Sequence, residues 1–126
     1  MDEELMLVLS QTYKENLQKR ISVSLERNGQ CLLWRKSTGS AGYPQIKVTA
    51  QGWGSRPVAI HRLVYLLHYG YKQMTGLHVS HLCHNKLCCE PEHLTLEPGA
   101  VNSQRILCKS EGQCHGHSNY PGCLLY

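Results

Sequence analysis

Phenylalanine is missing from all 126 residues, and tyrosine and tryptophan together make up only 7% of the chain. A domain of this length buries roughly two-thirds of its unfolded surface. With so few large apolar groups, packing alone is a poor support, and the fold calls for staples, either disulfides or metals. No apolar run is long enough to span a membrane. The opening MDEELMLVLSQTYKENLQKR is acidic and then amphipathic, without the apolar centre of a secretory leader. The expected setting is therefore intracellular, the nucleus if the host is eukaryotic, with no membrane partner. Also lacking is any CxxC pair, which excludes the generic zinc-finger templates.

What is present is sulfur and imidazole. Seven cysteines and eight histidines stand in the chain. An odd cysteine count argues against a pure disulfide framework, and thiols stay reduced inside cells, so metal binding is the expected use. The net charge of +4 and pI near 8.7 are compatible with a nucleic-acid partner without requiring one.

Along the chain, Leu5, Leu9, Tyr13 and Leu17 recur at helical spacing behind Asp2, Glu3 and Glu4. They predict a helical segment over residues 1–28, broken at Asn28-Gly29. Residues 29–126 then read as one domain. Residues 31–60 look like β structure: a short apolar run, Leu32 to Trp34, then the turn-rich KSTGSAGYP, then QIKVTAQ. In the last of these, Gln45, Lys47, Thr49 and Gln51 share one face of a strand, with Ile46 and Val48 on the other. Residues 58–69 read as a helix stopped by Gly70. LHVSHL reads as a strand, and Gly99–Leu107 as a short helix.

The cysteines and histidines fall into two sets. Cys83, Cys88 and His93 are spaced five and five, and structural zinc requires four thiolate or imidazole ligands in a tetrahedron. Cys31 is the one upstream cysteine, so the first set is Cys31, Cys83, Cys88 and His93. Cys89 competes with Cys88, and His84 with His93. The tail CKSEGQCHGHSNYPGC supplies the second set, Cys108, Cys114, His117 and Cys123, with His115 as the alternative to His117. Two structural Zn²⁺ per chain are expected. Each can supply on the order of 10 kcal/mol of folding free energy.

SHLCHNKLC, followed by PEHL and the cysteine-rich tail, resembles the His-Cys box homing endonucleases, most strongly over residues 79–126. The resemblance implies an α+β, zinc-bound ββα-metal fold with an antiparallel sheet and flanking helices. It implies a Mg²⁺-dependent endonuclease acting on double-stranded DNA, with His81 as general base and Asn102 as ligand of the catalytic metal. It places the QIKVT strand in the major groove, with Gln45, Lys47 and Thr49 as candidate base contacts. It also implies a homodimer, since two strands must be cut. The family's catalytic arginine comes from the sheet region. Here that sheet begins near Tyr43, so Arg56 is the candidate in its place, with Arg62 and Arg35 as further options. Without such an arginine, the scaffold would serve as a non-catalytic DNA-binding module.

Overall fold

The computed structural model of this chain describes residues 9–36, 38, 42–50, 54–70, 73 and 75–125. Among them, three two-stranded antiparallel ribbons and three helices follow one another in an α+β arrangement. Helix α1, Gln11–Ser22, begins at Ser10, whose side chain accepts from the Tyr13 N–H at 3.1 Å and so satisfies one of the orphan donors of the first turn. Leu17 and Ile21 turn inward.

The helix expected to reach residue 28 ends at Ser22. Residues Leu25–Asn28 form β1 and pair with β2, Cys31–Trp34, with Leu25 opposite Trp34 and Asn28 opposite Cys31. A strand lets Leu25 pack beside the buried Trp34, and Gly29, at φ +61°, turns the chain between the two strands. The N-terminal part of that expectation, including Leu5 and the acidic residues, lies outside the described residues.

Strand β3, Gln45–Ala50, pairs with β4, Gly54–Ala59. The alternation read from QIKVT holds: Val48 is buried and Ile46 half-buried, while Gln45, Lys47 and Thr49 are exposed. Gln51 lies outside the described residues. Helix α2, Ile60–Tyr69, follows β4 at once and buries Ile60, Leu63 and Leu66. Together with Leu9, Leu17, Ile21, Trp34, Val48, Val58, Val79, Cys89 and Leu94 they form the main core. Every large member is aliphatic except Trp34, with Tyr13 and Tyr65 packed half-buried against it. Among the described residues no helix is long and apolar enough to cross a membrane.

The last unit positions the site. β5, Leu77–His81, and β6, Leu94–Pro98, form an antiparallel ribbon around a loop that closes in a single 3₁₀ turn, Pro91–His93. Helix α3, Gly99–Glu111, continues directly from β6 and ends one turn beyond the expected Leu107, at Gly112 with φ +70°. This is a ββα unit. At its seam α3 comes close to β5: a Cβ on Gly99 would stand 3.2 Å from Nε2 of the exposed His78 ring, which would have to give way by a few tenths of an ångström.

A buried ion pair binds the unit together. Glu97 on β6 and Arg105 on α3 are 0% and 2% exposed and meet in a two-pronged contact of 2.7 and 2.8 Å. Arg105 also donates to the Pro121 carbonyl at 2.8 Å and to Cys123 Sγ at 3.4 Å, which fastens the tail to the helix. Glu97→Ala leaves a guanidinium buried without its counter-charge. It is expected to cost about 3–5 kcal/mol, read as a lowered urea midpoint in zinc-buffered solution. A midpoint within error of the parent protein would show that the pair is dispensable.

Candidate active site and metal centres

The two ligand sets read from spacing assemble in space. In each, one ligand atom from every residue lies within 4.8 Å of the others: Cys31, Cys83, Cys88 and His93 in the first, Cys108, Cys114, His117 and Cys123 in the second. In the first, His93 Nδ1 lies 3.7 Å from Cys31 Sγ and 3.5 Å from Cys88 Sγ. Cys88 is fully buried, and its thiol is held down at about 4, chiefly by its hydrogen bond with Cys83. Cys83 is pushed up by that same bond and by burial. Four crowded donors conflict over protons, and a dication among them, binding thiolates, removes the conflict. The chemistry and closure of both sets fit tetrahedral zinc.

The alternatives resolve by geometry. Cys89 stands outside both sets, buried in the main core with its thiol raised to about 12 by burial. His84 is also outside them. In the second set the His117 Nδ1–H donates to Gln104 Oε1 at 3.0 Å. That bond fixes the tautomer and leaves Nε2, 3.7 Å from Cys108 Sγ and 3.6 Å from Cys123 Sγ, as the ligand atom. His115 instead contacts Glu111. The Cys123 N–H donates to Cys114 Sγ at 3.2 Å, and this backbone bond holds that thiol down at about 7.

A cleft of about 460 Å³ opens at the end of β5, and both His81 and Asn102 line it. His81 Nε2 lies 3.0 Å from the Cys88 carbonyl oxygen. A carbonyl only accepts, so Nε2 carries the hydrogen and Nδ1 keeps the lone pair. Burial lowers the His81 pKa to about 4, so the imidazole is neutral near pH 7. Asn102, in the first turn of α3, has its Oδ1 2.8 Å from the hydroxyl of Ser80.

Further groups line the cleft, and of these the sequence offers only Arg62 as a candidate for it. His61 packs its ring 4.8 Å from that of His81 and 5.3 Å from Tyr43, and its buried Nδ1 has no hydrogen-bond partner. Burial lowers its pKa to about 3. Its position at the start of α2 gave no hint of this, because the contact is tertiary. His84 also lines the cleft, in a left-handed conformation at φ +62° that non-glycine residues seldom adopt. Arg62, Lys86 and Lys109 supply positive charge, and among the described residues no carboxylate lines the cleft. Arg56 is not brought here. It is exposed on β4 directly opposite Val48, so it projects from the face of the ribbon opposite to Lys47 and Thr49. Arg35, also exposed, pairs with Glu26 at 2.8 Å.

Residues 22–123 match the family described as the zinc-binding loop region of homing endonucleases, and the chain belongs to that family. It is similar to Protein 2.8 of Escherichia phage T7, with 29% identity over 102 residues, which is 81% of this chain and 63% of that protein. The chain thus spans less than two-thirds of the length of that relative. No solved structure matches it.

Proposed function

We propose that this chain is an endonuclease that hydrolyses phosphodiester bonds in double-stranded DNA. The observation that carries the reading is the cleft itself: a neutral histidine with its lone pair on Nδ1 and an amide oxygen donor stand together among cations, with no carboxylate among the described residues to repel a phosphate. His81 Nδ1 accepts a proton from the attacking water while its Nε2–H stays on the Cys88 carbonyl, so ring and tautomer hold still as the proton moves. The water oxygen bonds to phosphorus, the bond to the leaving 3′ oxygen breaks, and that oxygen keeps the electron pair and takes a proton from solvent water to leave as a 3′-hydroxyl. Arg62, Lys86 and Lys109 hold the phosphates that flank the break, and Arg62 takes the place that Arg56 does not reach. A Mg²⁺ bound at Asn102 supplies Lewis-acid charge, and its preference for hard oxygen donors suits an amide oxygen. The two zinc ions are structural.

The exposed face of β3 fits the reading of bases. Gln45, Lys47 and Thr49 project together from one side of a two-stranded ribbon, a shape the major groove accepts. Replacing all three by alanine is expected to flatten sequence preference, at about 1–3 kcal/mol for each lost base contact. Competition binding against randomised duplexes measures it, and an unchanged preference would remove this strand from the interface. Cutting both strands calls for two such sites, hence a homodimer with two-fold symmetry. Such an enzyme works inside the cell, where its DNA is.

The test of the whole reading is cleavage of supercoiled plasmid by purified, zinc-loaded protein in Mg²⁺ or Mn²⁺. Nicked and linear products that vanish with chelator are expected. A folded, two-zinc protein that binds duplex DNA and cuts none would make the chain a DNA-binding module on this scaffold.

A further inference from the structure

We propose that Ser80 is a positioning residue of this site: its hydroxyl selects which end of the Asn102 amide faces a divalent cation. The inference rests on the reading of Asn102 as the ligand of the catalytic metal. An asparagine side chain rotates about its last torsion between two broad wells that exchange Oδ1 for Nδ2. One presents an oxygen lone pair to a cation. The other presents N–H hydrogens and repels it. A cleft that, among its described residues, offers the metal no carboxylate depends on this choice more than one that offers a symmetric ligand.

The structure makes the choice through β5. Successive strand residues face opposite sides. His78 and Ser80 lie toward α3, His78 against the seam at Gly99 and Ser80 on Asn102. His81 lies the other way, against His61 and Tyr43. Neighbouring residues of one strand therefore serve the two halves of the site. Ser80 is 3% exposed, and a buried hydroxyl needs an acceptor for its hydrogen. It donates to Asn102 Oδ1 at 2.8 Å. That occupies one of the two lone pairs of the amide oxygen and leaves the other for a cation.

The experiment is a Mn²⁺ titration of the whole 126-residue chain, zinc-loaded and without DNA. Free Mn²⁺ is followed by electron paramagnetic resonance, and broadening of the Asn102 side-chain amide signal by nuclear magnetic resonance. Ser80→Ala is expected to weaken Mn²⁺ binding about 10-fold or more, within the range typical of outer-shell partners, with zinc content and melting unchanged. The discriminating variant is Asn102→Asp, whose carboxylate has an oxygen at either end and needs no selection. In that background Ser80→Ala should change Mn²⁺ affinity by less than about twofold. Equal Mn²⁺ affinity with and without Ser80 in the Asn102 protein overturns the proposal. So does an equal loss in both backgrounds, which marks a merely structural role. Absence of any Mn²⁺ broadening at Asn102 in the unsubstituted protein is a different failure, that of the metal-ligand assignment on which the proposal stands.

Discussion

Cys88→Ser is expected to leave the protein with one zinc instead of two and largely unfolded at room temperature. Serine is almost the same size, so the loss is one of coordination. Cys88 is the fully buried member of the first set, with His93 Nδ1 at 3.5 Å. Its backbone is as deeply engaged: it bridges to Leu33 on β2, its N–H donates to the Asn85 carbonyl, and its carbonyl receives His81. Among the described residues the satellite cluster around it consists of Cys31, Leu33, Cys83 and Leu87, too little apolar surface to hold the loop without metal. A structural zinc contributes on the order of 10 kcal/mol, as much as the whole stability of a typical domain, about 5–15 kcal/mol. Zinc stoichiometry and circular dichroism against urea measure the outcome. The neighbouring Cys89→Ala is the control: buried but outside the ligand sets, it should keep two zinc ions. Two zinc ions and an unchanged midpoint in Cys88→Ser would break the assignment of the first centre.

The ligand sets were legible because the chemistry of sulfur and imidazole is sparse: few residue types bind zinc, and their spacing survives in the sequence. The face of β3 was legible for a similar reason, since a period of two needs no partner to be seen. The end of α1 was not. LERN has no alternation of its own and becomes a strand through pairing with CLLW across Gly29. Asn102 and His81 came from resemblance, whereas Ser80, His61 and Lys109 enter the cleft through contacts among β5, α2 and α3 that no local pattern encodes. Arg56 shows the limit from the other side. Its strand was legible but its register was not, and register sets it opposite Val48 and off the cleft.

Replacing His81 is expected to abolish most cleavage while leaving the fold in place. The ring lies outside the main core, and its partners are His61, Tyr43 and the Cys88 carbonyl. What it contributes is a lone pair in a fixed direction. Loss of a general base typically costs a factor of about 10²–10⁴, so single-turnover nicking of supercoiled plasmid in Mg²⁺ should slow by that much in His81→Ala. His81→Gln separates base from brace. Its amide can donate to the Cys88 carbonyl as Nε2 does, yet it has no basic nitrogen, so it should keep zinc content, melting and DNA binding while remaining as slow as the alanine variant. Should His81→Gln cut at the parental rate, His81 would be a brace and the base would lie elsewhere in the cleft. The imidazole nearest to hand is then His61, 4.8 Å away with an unpartnered nitrogen. If instead both variants are slow and both still bind DNA, a cleft with no carboxylate among its described residues does its proton transfer through one neutral histidine. The zinc loop holds that histidine by a single backbone carbonyl, that of its own ligand Cys88.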